Sequence, residues 1–502
     1  MAKKVIIVGA GISGLTAGIY ARKAGFNVEI YESHAVAGGE CTGWKRNGFD
    51  IDGCIHWMTG TLKGTGLYKL WETCGALGKD IDVLNHEYIS AYLHENKLYY
   101  LYSDLKKLEQ ELIRIAPNDS KAIKKLTKAV KTCQRLEVPV NKPYEFLSFS
   151  EKIKLLFKFF KIARLINKAA RYTAKEYIAD IDSPVVKKII QIILPDHLAA
   201  SSLIAALSFR TKGDGGWPMG GSLEMIQRMQ NKLESLGGRI YLKESIDEII
   251  VENGKAIGVR TKKDDEIKKA DYVVPAIDAH SLLSKLLNGK YKDSYFDKRF
   301  NNPSEYFLAS SSIVAIGVEA DMSNRPHCLC INLETPFSIN KTAHKSMIIR
   351  HYSYDPKFSA NGKSLIEVVL PDFEFDYWYK LKQASAELYK NEKIRVLNAI
   401  VSEIQKVYPE ITDKVRMTDI ATPTTFKRYC NAYKGSYMSF ITLPKAKPSM
   451  MPANHKGTID GIKNMYLAGQ WVFPNGGLPM AAIAGKFAIQ RICRQEKLSI
   501  NL

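Results

Sequence analysis

Residues 4–8, KVIIV, form an apolar, β-branched run that a glycine-rich hexapeptide, GAGISG, follows without a gap. A run of this kind reads as a strand buried on both faces. LTAGIYARKAG then reads as a helix with Leu15, Ile19 and Tyr20 near one side, and NVEIYE as a second strand ending at Glu32. A strand, glycine loop, helix and strand in that order leave the chain one fold class, α/β, in a Rossmann-like unit with parallel strands. Gly9, Gly11 and Gly14 have the G-x-G-x-x-G spacing, with Ile12 and Ser13 between them. Gly9 serves a tight turn, Gly11 the approach of backbone to a pyrophosphate, and Gly14 the packing of helix on strand. The helix N-terminus offers N–H groups and positive dipole to phosphates. Glu32 can accept hydrogen bonds from ribose hydroxyls, and an acid there disfavours the 2′-phosphate of NADP. The unit therefore predicts a dinucleotide site, without separating FAD from NAD.

Lys and Arg outnumber Asp and Glu by 72 to 52 over 502 residues, a net charge of +20. Such an excess favours an anionic partner, or is spread over the surface and serves solubility. No nucleic-acid-reading motif accompanies it, so no nucleic-acid partner is expected. The length allows about three domain-sized units. Eight cysteines show no metal spacing, and no metal is expected. Cys328 and Cys330 flank one residue and share a strand face, as two buried thiols or as a weak redox or metal pair. The cysteine usage fits a reducing, cytoplasmic compartment. Lys3 and Lys4 before an apolar run outline a signal peptide, but glycines at 9, 11, 14 and 18 argue against one. No apolar stretch reaches the length of a membrane span. The expected location is cytoplasmic, peripheral on a membrane.

Three further segments extend the nucleotide-binding pattern. ESHAVAGGECTGWKRNGFDIDG carries a second glycine pair, Gly38 and Gly39. GWPMGGSLEMIQRMQNKLESLGG is a glycine turn before an amphipathic helix; a hairpin turning at Asn253-Gly254 and the strand of ADYVVPAID follow. NMYLAGQWVFPNGGLPMAAIAGKFAIQRIC reads as a strand ending at Ala468-Gly469, a loop, and a helix of small residues. Together they resemble the phytoene desaturase, carotenoid isomerase and retinol saturase family of two-dinucleotide-binding flavoproteins, as does TPTTFKRYCNAYKGSYMSF at 422–440. The resemblance implies FAD. It implies that Gly38 and Gly39 run beside the cofactor, that the backbone near Ile246 meets the adenine, and that Gly469 touches the pyrophosphate or ribitol. Gly477, Leu478 and Met480 then stand where a helix N-terminus points at the flavin and stabilises negative charge at N1/O2. The family's arginine after the glycine pair is Glu40 here, which leaves Lys45 or Arg46 as the substitute.

Residues 151–171 carry seven Lys/Arg and one Glu. On a helical wheel Lys154, Lys158, Lys161, Arg164 and Lys168 share one side, and Leu155, Leu156, Phe159, Ile162 and Ile166 lie mostly opposite. This is the pattern of a helix lying on an anionic membrane, or of a docked helix with a solvated basic face. The apolar run 187–209, broken at Pro195, reads equally as tunnel lining or core.

The expected organisation is a discontinuous FAD-binding domain from 1–75, 216–285 and 455–502. An α+β substrate domain takes 76–215 and 286–454, with 151–210 as its helical insert. The family resemblance implies desaturation or saturation of a carbon–carbon bond in a long apolar lipid, such as a carotenoid or retinoid. A quinone, oxygen or separate reductant would close the cycle, since no second glycine motif offers a site for NAD(P)H. His56, just past the cofactor-proximal segment, is a candidate acid or base, or a structural histidine; Asp196 and His197 are weaker candidates. Three alternatives stand: a redox-neutral isomerase using reduced FAD, an amine-oxidase-like enzyme, and a non-catalytic flavin-binding membrane protein.

Overall fold

The computed structural model of the protein describes residues 2–263, 266–359, 362–446 and 454–500. Lys4–Val8 is an inner strand of a four-stranded parallel sheet, between Asn27–Tyr31 and Tyr272–Pro275, with Arg239–Tyr241 at one edge. Its apolar run is unbroken because both sheet faces are covered. Beyond Tyr272–Pro275 the extended segment 464–468 continues the sheet, the Ala468 N–H donating to the Pro275 carbonyl at 2.9 Å. The helices Ile12–Lys23, Gly221–Ser235 and Leu478–Gln495 pack with this sheet around one core. The hairpin Ile246–Glu252 to Lys255–Thr261 turns at Asn253 (φ 49°) and Gly254 (φ 70°), the two positive values that a two-residue turn of matching twist requires.

The other half is a seven-stranded sheet. Its order is Val415–Ala421, Ser311–Val318, Ser364–Pro371, Thr342–His351, Cys328–Ile339, Tyr88–His94, Lys97–Tyr102, with one parallel pair, Cys328–Ile339 beside Tyr88–His94. Alternation along Ser311–Val318 assigns its two faces. Val314, Ile316 and Val318 pack under the helices Phe375–Ala384 and Ala386–Val407, while Ala315 joins the core of the nucleotide half. Helices within 105–211 build a third core, which covers the Tyr88–His94 end of the sheet. Ala76 and Leu77 pack with the nucleotide half, and Val83–Leu84 pairs with Gly215–Pro218, so that half's packing runs on past residue 75.

The basic helix differs from its sequence reading. It spans Phe149–Ala169 and starts two residues early because Ser148 and Glu151 form a reciprocal capping box. Its apolar residues fall into two stripes. Phe159, Ile162, Leu165, Ile166 and Ala169 dock on the helical core. Phe149, Ile153, Leu156, Phe157 and Phe160 face outward, Phe149 80% and Phe157 79% exposed. The basic residues Lys154, Lys158 and Lys161 are exposed and lie between the two stripes, so they face the outward stripe's flank rather than a single apolar side. The run 187–209 divides into Pro184–Gln191 and Ala200–Thr211, with Pro195 in the link between them. Among the described residues no helix is long and apolar enough to cross a membrane.

Candidate functional site

At the head of the parallel sheet, the N-terminus of Ile12–Lys23 has no side-chain cap and no acid in its first turn. Its first N–H groups are thus left for an external anion. Around it, the glycines divide by what a side chain would meet. A Cβ on Gly14 would overlap the Gly9 carbonyl, and one on Gly485 the Ser13 carbonyl, so these two are packing positions. A Cβ on Gly11 would come no nearer than 3.7 Å to anything, and one on Gly477 no nearer than 3.8 Å. Gly38 and Gly39 bring the second glycine pair against the first: Gly38 pairs with Gly11, and its N–H donates to the Ala10 carbonyl at 2.9 Å. The open space over Gly11 and Gly477 is the cradle a dinucleotide fits.

The far end of the chain completes this cradle. The Gly469 N–H donates to Ser13 Oγ at 2.6 Å across 456 residues. Gly477 caps Leu478–Gln495 at φ 90°, a left-handed conformation suited to glycine, and Leu478 and Met480 pack on the core that holds Trp217. Glu32 is buried; its Oε2 accepts from the Ala10 N–H and its Oε1 from the His34 N–H, both at 2.8 Å. Ile246 is buried and opens its strand two residues after Glu244, whose N–H donates to the Glu32 carbonyl.

Lys45 and Arg46 do not join this group. They lie on the hairpin strand Gly43–Arg46, where Lys45 is 73% exposed and pairs with Asp50 at 3.3 Å, and Arg46 reaches Asp419 at 3.5 Å. Burial, with Asp278 nearby, pushes the Glu40 carboxyl up to about 8. It is then largely protonated at pH 7 and adds little negative charge. Gln470, which the sequence reading passed over, holds it: its Nε2 donates to Glu40 at 2.9 Å and its Oε1 accepts from the Gly477 N–H at 2.7 Å.

His56 lies on the wall of a cavity of about 380 Å³, where the parallel-sheet half, the seven-stranded sheet and the helical region meet. Its Nδ1 is 3.2 Å from the Tyr352 hydroxyl, which donates to Glu367 at 2.7 Å. Glu367 also accepts from the Asp52 N–H at 3.1 Å. Burial, followed by the Arg350 and Arg210 guanidiniums, holds the His56 imidazole well below the usual histidine range. Burial and the nearby Asp52 push Glu367 up to about 8. A buried carboxyl, a phenol and a neutral imidazole thus stand in hydrogen-bond sequence at the cavity, and the imidazole, held neutral, is the member able to accept a proton there and return it. Asp196 and His197 are not on this wall; His197 is exposed and packs edge-on against Phe307 and Phe373. Cys328 lines the cavity and Cys330 packs in the helical core, both as free thiols. Among the described residues no metal-holding cluster occurs.

Sequence reasoning missed Arg210, Arg350, His86, His327, Tyr352 and Glu367. They come from segments far apart, with no shared motif. One signal was available: RHYSY at 350–354, a dense polar and aromatic run closing an apolar strand.

A glycine cradle at a helix N-terminus, closed by a helix from the far end of the sequence, is the arrangement of an FAD-dependent oxidoreductase of α/β class. The chain belongs to the flavin containing amine oxidoreductase family, which matches residues 12–493. It is 24% identical over 510 residues to a chloroplastic prolycopene isomerase of Daucus carota, covering 97% of this chain and 79% of the relative. It is 25% identical over 544 residues to an all-trans-retinol 13,14-reductase of Danio rerio, covering 99% and 86%. The fold is shared with cyclohexylamine oxidase from Brevibacterium oxydans, at a TM-score of 0.59, 14% identity, and 99% and 100% coverage.

Two outcomes test this geometry. Gly11→Val should keep the melting midpoint of the FAD-free parent and lose bound FAD, read as flavin absorbance after gel filtration, because its side chain enters the cradle only. Gly14→Val should lose about 3 kcal/mol or more of stability, because the helix must move off the strand. Glu367→Gln tests the buried carboxyl. Its pKa is raised on folding from 4.5 to about 8, so the stability it contributes is full below pH 4.5 and lost as pH rises through about 8. The melting midpoint of the variant should therefore gain on the parent's over that interval; a constant difference would show a carboxyl of ordinary pKa.

Proposed function

We propose that the protein adds or removes hydrogen across a carbon–carbon bond of an unsaturated lipid. The observation that carries this is the cavity that joins His56 and its hydrogen-bonded chain to the core on which Leu478 and Met480 also pack. The names of the two relatives support a polyene substrate. In this reading Gly9, Gly11, Ile12, Ser13, Gly14, Gly38, Gly39 and Gly469 hold the pyrophosphate region. Glu32 takes the ribose, Ile246 borders the adenine, and Gly477, Leu478 and Met480 face the flavin. These segments belong to the discontinuous domain 1–75, 216–285 and 455–502. FAD, when bound, supplies the hydride acceptor or donor. The proton that leaves or enters with each hydride is exchanged by His56, which Tyr352 and Glu367 hold in place. Because a neutral imidazole can return the proton it accepts, isomerisation is the second reading.

The substrate's route is the second part of the proposal. The outward stripe of Phe149–Ala169, with its exposed lysines, rests on an anionic membrane and collects a bilayer-held lipid. Aromatic side chains enter the headgroup boundary while each basic residue contributes about 1 kcal/mol.

Anaerobic flavin spectra decide the chemistry. A carotenoid or retinoid should bleach oxidised FAD in desaturation, or reoxidise reduced FAD in saturation. Conversion with no net flavin change would assign isomerisation. Bleaching by a primary amine and by no polyene would overturn the lipid reading. For the membrane, flotation with anionic liposomes should carry the protein at low salt and less of it at high salt. Phe157→Glu, at a largely exposed position, should leave it in the soluble fraction. Equal flotation of that variant would remove the helix as the anchor.

A further inference from the structure

The cavity is more cationic than an apolar polyene requires. Arg210, in the last turn of Ala200–Thr211, and Arg350, near the end of Thr342–His351, both line it. Among the described residues neither guanidinium forms an ion pair with a carboxylate. Arg350 Nη1 and His86 Nε2 are buried without a hydrogen-bond partner. Arg210 rests over the Trp57 ring at 5.2 Å. The carboxylates on the cavity wall are otherwise engaged. Glu87 pairs with Lys107 at 3.0 Å on the exposed rim, and Asp104 accepts from the Lys107 N–H at 2.7 Å. Glu367, which faces Arg350 electrostatically, takes its hydrogen bonds from Tyr352 and Asp52. His86 and His327 stack at 3.6 Å, and burial holds both well below the usual histidine range. The positive charge facing the cavity at neutral pH is therefore that of the two arginines. Unpaired buried guanidiniums and an orphaned imidazole nitrogen are costly, and a ligand that completes them removes the cost.

We propose that Arg210 and Arg350 bind an oxyanion on the substrate, a carboxylate or a phosphate, while its hydrocarbon chain lies along the apolar side of the same cavity. That side is made by Ile89, Ile192, Ile193 and Ala206. This deepens the function proposed above and rests on its assignment of the cavity to the substrate. The substrate class becomes an unsaturated amphiphile, not a hydrocarbon. A cationic amine is disfavoured, because it would meet two like charges.

Calorimetric titration of the FAD-loaded protein with linoleate and with linoleyl alcohol, both below their aggregation limits, tests this. The acid should bind at least about tenfold more tightly than the alcohol, the worth of one charge-assisted pair. Arg350→Gln and Arg210→Gln should abolish that preference with little change in alcohol binding, and Arg350→Lys should keep part of it. Competition by inorganic phosphate but not acetate would assign the phosphate source, and the reverse the carboxylate. The melting midpoint of Arg350→Gln without ligand should equal or exceed the parent's, because an unpaired buried charge is gone. Equal affinity for acid and alcohol in the parent overturns the proposal. So does a preference that survives both glutamine variants, with or without a lowered midpoint. Flavin spectra on the same samples read the redox function separately: a retained acid preference with no spectral response to any polyene would overturn that function and leave the anion site standing.

Discussion

Asp52 is buried and accepts four hydrogen bonds, from the Cys54 and Ile55 N–H groups and from the Ser222 N–H and hydroxyl. Its own N–H donates to Glu367 in the seven-stranded sheet. One residue thus fixes the loop that presents His56, the start of Gly221–Ser235, and the contact between the two halves of the molecule. Burial raises its pKa and the four donors oppose that rise, so the site depends on their all staying in place. A cavity shared by two sheets needs such a joint, because relative movement of the halves would alter the spacing from Tyr352 to His56. The hydrogen-bonded chain from His56 to Glu367 and the contact between the halves are held by the same atoms.

The cavity combines two chemistries that act at different ranges. Guanidiniums attract and orient a charged end over several ångströms, while the isoleucines along the wall exclude water from a chain. Placing the arginines apart from their nearest carboxylate is what keeps them available. Glu367 is turned toward Tyr352 and Asp52 by two hydrogen bonds and pushed toward its neutral form, so it does not neutralise Arg350. The relay thereby also protects the charge of the anion site.

The glycine loop, the second glycine pair and the C-terminal helix were legible because each is local: a spacing, a turn residue or a periodicity within a few turns of chain. That Gly469 would come to the same cofactor as the glycine loop was legible only through resemblance, and its contact with Ser13 was not legible, since no local pattern reports a contact over such a separation. The orientation of Phe149–Ala169 was half legible. A helical wheel sets Phe157 and Phe159 on different sides, both apolar, and only the packing partner decides which side is docked. The exchange of Lys45 for the family's arginine failed for a related reason: proximity in sequence placed a cation near Glu40, and a tight hairpin turned it to solvent. The anion site was not legible at all, because Arg210 and Arg350 become neighbours only when a helix and a strand from separate cores meet.

The contact between Gly469 and Ser13 also has a consequence for the order of synthesis. The glycine loop is synthesised more than 450 residues before the segment and helix that close it. Until then the nascent chain has a phosphate-binding loop with one wall absent. Cofactor capture therefore waits for synthesis of this distant segment, and a stalled or truncated product lacking it would present its open parallel sheet to chaperones and proteases instead of retaining a flavin.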